Sequence, residues 1–344
     1  MSYDLDLYLS KATPLDPPAA RDGGLFNAAP PARCEDDDIP DGYHVILGKR
    51  RRWLHRLHIE GAPTTDALAA FEDWLTDTIS RTNGVLIDEQ SGRFQGAKTS
   101  GPLPEAQPTA DIKLGEMSFF FEDVEGFHRN GLAQVLQIIA KVLPQAMPTR
   151  FGQYEPLQGR VENGDTGPLL AAFAEDPDQF LKAKTPFAHI FLSLSCKAEL
   201  AKWHPKHFIR KELLVGTLRF ELRPKAFDDP RLLPLFSEIS TATRVFYSEI
   251  RDRECPVRAW FWHGLPNGPV RAFCLGRKYA DLWPEAVARG QPLKGDTILV
   301  APNRLQPALP EPPKDLCDPG KRTQPGAINP ASYPARFPFT LPDA

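Results

Sequence analysis

The chain has 344 residues, of which 42% are hydrophobic, and a formal net charge of −3 at pH 7. This length allows one large or two medium globular domains with a sizeable core. The near balance of 41 basic and 44 acidic residues argues against a protein that coats nucleic acid or lies on an anionic membrane. A charged partner would therefore have to meet a local patch.

Targeting signals and cysteine usage both indicate a cytoplasmic protein. The start "MSYDLDLYLSKATPLD" has aspartates where a secretory signal has lysines, and no stretch approaches the roughly 18 apolar residues of a membrane span. Five cysteines are scattered without a C-x-x-C pair, which is typical of reduced intracellular thiols. They are Cys34, Cys196, Cys255, Cys274 and Cys317.

The first half of the chain predicts strands and helices in alternation. "YDLDLYL" alternates polar and apolar residues, as a strand does, and a surface excursion follows that ends in the acidic run "CEDDDIPDG". "YHVIL" predicts a strand. "TTDALAAFEDWLTDTISRT" predicts an amphipathic helix capped by Thr65. "GVLID" and "EMSFFFED" predict strands, and "GLAQVLQIIAKVL" predicts a helix that Pro144 stops.

The second half repeats this order of elements. "FAHIFLSLS" and "ELLVGTLRFELRP" predict strands, and "RLLPLFSEISTATRVFYSEI" predicts a helix. "VRAWFWHG" and "PVRAFCLG" predict strands around a turn, "KYADLWPEAVARG" a helix, and "DTILVAP" a final strand. The fold class is therefore predicted as α+β, with two sheet-and-helix halves and mainly antiparallel strands.

Three ranges describe the predicted domain organisation. Residues 1–148 form an N-terminal α+β half, residues 149–300 a C-terminal α+β half, and residues 301–344 a proline-rich extended tail. Such a tail is either disordered or a strap that lies over the body. We favour the strap, because Tyr333, Phe337 and Phe339 are apolar side chains that could anchor the tail.

No phosphate loop or serine nucleophile is recognisable. "SGRFQGAKTSG" at residues 91–101 differs from a P-loop because Ala97 separates Gly96 from Lys98 and because prolines, not a helix, follow. The chain also lacks the G-x-S-x-G motif of serine hydrolases. We expect residues 91–101 to be a solvated loop.

Two H-x-x-H pairs raise the question of a zinc site. His55 pairs with His58, and His204 pairs with His207, with Cys196 upstream of the second pair. Zinc would need further ligands at short spacing, or the glutamate of H-E-x-x-H, and neither is present. We expect no metal ion and no other cofactor.

An alternative function is a metal-dependent nuclease or hydrolase. Such an enzyme needs a carboxylate at a strand end and an acidic-x-Lys pair on the next strand, which together hold Mg²⁺ and a water. Asp88, with Asp111 and Lys113, can be fitted to that pattern. Asp111 directly follows a proline-rich loop, however, and such triplets are common in a chain with 25% charged residues.

Opposite charges lie close together near the N-terminus. The basic run "KRRRWLHRLH" at residues 49–58 would suit phosphate contacts, although a charged strand face opposite the acidic run explains it equally well. The acidic residues Glu35, Asp36, Asp37 and Asp38 would suit a basic protein partner, since complementary charge accelerates association.

Three passages of the chain carry a family resemblance: "MSYDLDLYL", "PTRFGQYEPLQGRVENGD" and "FWHGLPNGPVRAFCLGRKYADLWP". They resemble bacterial immunity proteins that accompany polymorphic or type VI secreted toxins, closest to the immunity 52-like group. The resemblance implies a cytoplasmic protein that binds a cognate toxin and blocks its active site, with no catalytic residue of its own. Trp260, Trp262 and Trp283 would suit the core of such an interface, with acidic residues around it.

The sequence therefore predicts a toxin-neutralising binding protein, not an enzyme. Its expected partner is a protein toxin, and we expect neither a membrane nor a nucleic acid. The metal-dependent hydrolase remains the alternative, and a structural adaptor of a phage or secretion apparatus is a further one. His263, beside the turn "GLPNGP", is expected to form hydrogen bonds next to a turn and not to act as a base.

Overall fold

The computed structural model describes residues 3–19, 24–40, 42–104, 114–153, 155–184, 187–194, 215–252, 262–302, 308–320 and 333–340. The chain divides into two compact units. The first comprises Met1–Asp111 with Tyr154–Gln158, and the second comprises Ile112–Gln153 with Gly159–Ala344. Each unit contains a sheet, and all paired strands in the described residues run antiparallel. The α+β prediction is confirmed.

The first unit is built on a seven-stranded sheet. Its strands are β1 (Tyr3–Leu9), β2 (Gly24–Ala28), β3 (Ala32–Arg33), β4 (Trp53–Gly61), β5 (Val85–Asp88), β6 (Arg93–Gly96) and β7 (Ser100–Pro102). The strand order is β2-β4-β1-β5-β6-β7, and β3 also pairs with β4. The helices of this unit are α1 (Tyr43–Leu47) and α2 (Thr65–Thr82).

Alternation along β1 supplies both faces of this sheet. Leu5, Leu7 and Leu9 are buried in one core with Phe71 and Leu75 of α2. Tyr8, on the opposite face, is buried in a second core with Cys34, which follows β3, and with Leu47 of α1. The period of two in the sequence thus places the chain between two apolar layers.

Two local predictions in this unit are corrected. The N-cap of α2 is Thr64, not Thr65, because the Thr64 hydroxyl oxygen accepts a hydrogen bond of 3.3 Å from the Ala67 N–H. "YHVIL" is the helix α1, not a strand. Gly42 and Gly48 bound it with φ values of 95° and 62°, so the chain turns sharply at both ends and leaves room for only five helical residues.

The second unit is built on a ten-stranded sheet. Its strands are β8 (Gly115–Phe121), β9 (Pro148–Gly152), β10 (Gly159–Arg160), β11 (Gln179–Ala183), β12 (Phe187–Leu194), β13 (Gly216–Leu222), β14 (Tyr247–Asp252), β15 (Ala272–Leu275), β16 (Gln291–Pro292) and β17 (Ile298–Val300). The strand order is β10-β9-β11-β12-β13-β8-β14-β15-β17-β16.

Helices lie on both faces of this larger sheet. They are α3 (Val124–Gly126), α4 (Leu132–Val142), α5 (Gly167–Glu175), α6 (Leu232–Ala242), α7 (Arg277–Ala280) and α8 (Pro284–Arg289), with a π-helical turn over Phe127–Gly131 between α3 and α4. Helices α4, α5 and α6 bury their apolar sides in one core with β8 and β13. There Phe119 of β8 packs against Phe220 and Phe236, with ring centroids 6.0 and 5.4 Å apart.

An aromatic core fills the space between the opposite face of the sheet and the proline-rich tail. Its largest members are Phe120, Phe246, Trp262, Phe273, Tyr279, Trp283 and Phe339. The described tail segments, 308–320 and 333–340, bury Leu316, Tyr333 and Phe339. Gly264 has a φ of 115°, and a Cβ there would come within 2.5 Å of Pro334, so the tail passes directly over a glycine. These described segments of the tail pack against the body of the second unit, as a strap would.

Three predicted elements of the second unit differ in detail. The single helix predicted over residues 231–250 is α6 followed by β14, and Arg244, with a φ of 49°, separates them. The helix predicted over "KYADLWPEAVARG" is two short helices, because Pro284 lacks the N–H that would continue α7. In "VRAWFWHG", residues 257–261 lie outside the described residues, and Trp262–Gly264 are not in a strand.

The predicted domain ranges 1–148, 149–300 and 301–344 remain a prediction. Within the second unit, β8 pairs with β13 and β14, although β8 and α4 lie in the range 1–148 of the predicted N-terminal half. Among the described residues, no helix is both long and apolar enough to cross a membrane.

Candidate protein-binding surface

The acidic run forms a fixed turn on the first unit. Asp36–Asp38 form one turn of 3-10 helix, with Glu35 as its N-cap. The Glu35 N–H donates a hydrogen bond of 2.7 Å to Oδ2 of Asp38, and the Asp38 N–H donates one of 3.1 Å to the Glu35 carbonyl oxygen. The acidic turn, as we call Glu35–Asp38, therefore has a defined conformation at the protein surface.

Asp36 presents a highly exposed carboxylate in this turn. Its side chain is 84% exposed, yet Oδ1 accepts a hydrogen bond of 2.7 Å from the Arg52 guanidinium. Arg52 belongs to the predicted basic run. Its neighbour Arg51 donates to the carbonyl oxygens of Leu47 and Asn83 at 3.0 and 2.8 Å. These two arginines of the basic run thus make contacts within the chain.

Residues 24–34 follow the outer side of β4, and the acidic turn comes directly after them. β2 pairs with Leu57–Gly61, and the Ala29 N–H then donates to the Arg56 carbonyl oxygen at 2.8 Å. β3 pairs next, and the Cys34 N–H donates to the Arg52 carbonyl oxygen at 2.7 Å. This segment is an edge of the sheet, and Leu25 in it is 52% exposed.

Helix α1 carries the most exposed large apolar side chain described. Val45 is 85% exposed at the centre of α1. On the same helix, the Tyr43 hydroxyl donates a hydrogen bond of 3.0 Å to Glu89. Burial and this hydrogen bond raise the pKa of Tyr43 to about 12, so it stays a donor at neutral pH.

Two side-chain contacts join β1 and β4. The Asp4 carboxylate is 2.7 Å from Nδ1 of His58, and the Asp6 carboxylate is 3.2 Å from Nε of Arg56. Burial raises the pKa of Asp6 above its ordinary value, and the attraction of Arg56 only partly offsets that effect. This face of the sheet therefore carries ionisable groups close to the edge strand β2.

The three tryptophans proposed for the interface are not part of a described surface. Trp260 lies outside the described residues. Trp262 and Trp283 are 1% and 3% exposed and belong to the aromatic core of the second unit. Trp283 stacks on Phe273, with ring centroids 5.0 Å apart. In this conformation, the core encloses both indoles, so a partner has no access to them.

His263 lies beside these aromatic side chains. It is 8% exposed, and its ring meets the Tyr333 ring edge to face, with centroids 5.2 Å apart. The contact places His263 under the strap, so its surroundings are those of a packed side chain.

The residues of the nuclease alternative are only partly described. Asp111 and Lys113 lie outside the described residues. Asp88 ends β5 and accepts hydrogen bonds from the Tyr3 hydroxyl at 2.5 Å and the Ser91 hydroxyl at 2.6 Å. Burial by itself raises the pKa of Asp88, but the hydrogen bonds from Ser91 and Tyr3 outweigh it and lower the pKa overall.

The two H-x-x-H pairs, for which no metal ion was expected, are also only partly described. His204, His207 and Cys196 lie outside the described residues. His55 is buried, and its Nδ1 lies 3.2 Å from the Ala29 carbonyl oxygen, whereas His58 pairs with Asp4. In the part of the chain that the structure describes, no group of three or more His, Cys, Asp or Glu side chains is arranged to hold a metal ion.

The glycine-containing loop at residues 91–101 forms most of the hairpin of β6 and β7. The Gly96 N–H donates a hydrogen bond of 2.7 Å to the Thr99 carbonyl oxygen and closes the turn around Lys98. The next described residues, Pro102–Pro104, are not helical. The helix N-terminus that a P-loop uses to bind phosphate is therefore missing at this position.

Sequence reasoning missed a group of buried charges in the second unit. Arg219 of β13 contacts Glu116 of β8 at 3.1 Å, and Arg251 of β14 contacts Glu249 at 3.4 Å. Glu249 also accepts a hydrogen bond of 2.9 Å from the Tyr247 hydroxyl. Only β13 offered a clear signal in the sequence, because "GTLRFEL" alternates polar with apolar residues, whereas β8 and β14 do not alternate in this way.

Comparisons with known proteins do not identify a family for this chain. No known protein family matches the chain, and no curated protein matches it. A solved structure that matches is the Pseudomonas aeruginosa T6SS protein PA0821, with 13% sequence identity and a TM-score of 0.36 over 57% of this chain and 68% of that one. A TM-score of this size does not establish a shared fold.

Proposed function

We propose that this chain is an immunity protein that binds a cognate bacterial toxin in the cytoplasm and neutralises it by covering the active site of the toxin. The observation that carries the proposal is the acidic turn Glu35–Asp38. It holds an 84% exposed Asp36 carboxylate in a fixed position. A fixed carboxylate of this kind is suited to a basic surface, such as an active site that handles phosphate groups.

Preorganisation is the physical reason why this turn suits a tight complex. The hydrogen bonds between Glu35 and Asp38, and the ion pair of Asp36 with Arg52, order the turn before a partner arrives. A binding segment that is already ordered loses less conformational entropy on association. The exposed apolar side chains of Leu25 and Val45 on the same unit offer contact area that a partner can remove from water.

The sequence resemblance to immunity proteins of type VI and polymorphic toxins supports the class of partner. A cognate toxin is the expected target because such proteins act by stoichiometric binding and not by turnover. The proposal assigns no catalytic residue, cofactor or metal ion to this chain.

The test uses the product of the adjacent gene as the toxin candidate. We expect this chain and that product, co-expressed with this chain in excess, to elute as a one-to-one complex on size exclusion. A strain that lacks this chain should lose viability when sister cells attack it, and expression of the chain in the cytoplasm should restore viability. Full tolerance of the deletion strain to sister cells would contradict the proposal.

Charge variants test the role of the acidic turn. Asp36→Lys should slow association at low ionic strength, and the difference from the wild type should shrink as salt is added, because salt screens exposed charges beyond about 10 Å at 0.1 M. Asp77→Lys is the matched control, since Asp77 is 73% exposed on α2 and also pairs with an arginine, Arg81, at 3.7 Å. Equal association rates for both variants would show that the turn is not at the interface.

A further inference from the structure

We infer that the partner docks by adding an extended, basic segment as a new strand along the outer edge of β2. The inference rests on the proposed function, and it specifies which backbone groups of this chain the toxin engages. It does not follow from the acidic turn alone, because it depends on an open strand edge.

The described sheet edges differ in how they are protected. β7, at the other edge of the first sheet, has three residues and ends in Pro102. The edges of the second sheet are β10 and β16, each of two residues, and β16 contains Pro292. Short strands and prolines prevent further strand pairing. β2 has five residues and no proline, so it is the longest described edge without this protection.

Backbone hydrogen bonds define which groups of β2 face outward. The Ala29 N–H donates to the Arg56 carbonyl oxygen at 2.8 Å, in register with the pairing of β2 and β4. Because the pairs alternate along antiparallel strands, the backbone groups of Phe26 and Ala28 face away from β4. Among the described residues, none forms a hydrogen bond with these outward groups.

The side chains of β2 hold the strand in place and leave one side accessible. Phe26 is buried and stacks on Phe71 of α2, with ring centroids 4.6 Å apart. Leu25, by contrast, is 52% exposed. A rigid strand with an exposed apolar side chain supplies the two elements of strand addition, which are backbone hydrogen bonds for affinity and side-chain contacts for specificity.

Charge along the edge specifies the chemistry of the added strand. Residues 24–38, which run from β2 through the acidic turn, contain four carboxylates and one arginine. Glu60 lies opposite Leu25 across the β2–β4 pair, which adds a further carboxylate beside the exposed side chain. A partner segment with lysine or arginine side chains complements this charge, and an acidic segment is repelled.

The experiment measures the affinity of full-length variants for the product of the adjacent gene. Ala28→Pro removes an outward N–H and keeps the bonds of β2 to β4, and we expect it to weaken the complex about tenfold. Ala28→Ser keeps this N–H, so it should bind about tenfold more tightly than Ala28→Pro. Leu25→Lys adds a positive charge that repels the basic segment and removes apolar contact, so it should weaken the complex by about tenfold or more.

Hydrogen exchange of the wild-type complex supplies a measurement that does not depend on a variant. The Phe26 and Ala28 amides should exchange rapidly in the free protein and at least about tenfold more slowly in the complex. Thermal unfolding of each variant shows whether a loss of affinity reflects loss of the fold.

The outcomes separate this inference from the proposed function. If the complex forms and protects cells, but both variants bind like the wild type and the two amides stay unprotected, strand addition is wrong and the immunity function stands. If the wild-type chain forms no complex, both proposals are overturned. Weakened binding by the two variants, together with slowed exchange at Phe26 and Ala28, supports strand addition.

Discussion

The indole Nε1–H of Trp262 donates a hydrogen bond of 2.8 Å to the hydroxyl of Tyr279. Both side chains are fully buried, and the Trp262 ring also contacts Phe120 and Phe246, with centroids 4.7 and 4.9 Å away. This pair joins the segment after residue 261 to α7 beneath the strap. Trp262 is therefore a structural residue of the aromatic core.

Replacing Trp262 should destabilise the fold more than the equivalent change at Trp283. Both substitutions to Phe remove the same volume from a buried site. Trp262→Phe also removes a hydrogen bond, which costs about 1 kcal/mol, and the Tyr279 hydroxyl oxygen loses the donor it accepted from. The Trp283 Nε1–H has no hydrogen-bond partner among the described residues, so Trp283→Phe loses none. Urea denaturation of both variants measures the difference, and an equal or larger loss for Trp283→Phe would contradict it.

The strap should contribute to stability through Phe339. Its ring is 7% exposed and packs against Phe246 at 4.9 Å, and the Lys278 ammonium lies 4.5 Å from its centroid. We expect Phe339→Ala to cost about 3 to 5 kcal/mol, the usual range for a buried phenylalanine.

Phe337→Ala provides the control for the strap. Phe337 is only partly buried, so its loss should cost clearly less. Chemical denaturation followed by tryptophan fluorescence measures the unfolding, because Trp262 and Trp283 of the aromatic core contribute to the signal. If Phe339→Ala unfolds at the same denaturant concentration as the wild type, the strap is not a stable part of the fold.

Two aspartates of the first unit should respond to pH in opposite directions. Burial raises the pKa of Asp6, so the folded state binds its proton more tightly than the unfolded state. The free energy of unfolding then falls as pH rises from the ordinary carboxyl pKa through the raised one. Asp6→Asn should therefore stabilise the protein at pH 7, and this gain should disappear below the ordinary pKa.

The pH dependence of stability that we expect from Asp88 is the reverse of that from Asp6. Burial raises its pKa, but the hydrogen bonds from Ser91 and Tyr3 lower it by more, so the folded state prefers the ionised form. That stabilisation is present above the ordinary carboxyl pKa and is lost as pH falls through the lowered one. Asp88→Asn should therefore destabilise the protein at pH 7 and have little effect at acid pH. Urea denaturation from pH 7 downward tests both variants, and shifts of the same sign at pH 7 would contradict the assignment.

The candidate surface was only partly predictable from the sequence. The acidic run and the opposing basic run were both visible, and the Arg52–Asp36 ion pair lies between them. β2 was not predicted, because five residues within a glycine-, alanine- and proline-rich excursion show too little alternation to indicate a strand. Its pairing with β4 joins residues 29 to 37 positions apart, and hydrophobic periodicity contains no such information.

The sequence by itself determined the elements whose pattern is local. Helices α2 and α4 follow the 3.6-residue spacing of apolar side chains, β1 follows its period of two, and the end of α4 follows from Pro144. The anchoring of the strap also followed from its aromatic residues. Each of these depends on neighbours a few positions away, so the chain specifies them before it is folded.

Only the tertiary structure decided which side chains a partner can reach. Trp262 and Asp36 were both assigned to an interface from residue type, yet one is 1% exposed and the other 84%. Burial depends on what covers a residue. Trp262 is covered in part by the strap and by β14, which lie elsewhere in the chain. Long-range packing, which a local pattern does not encode, therefore left the acidic turn and the edge of β2 at the surface.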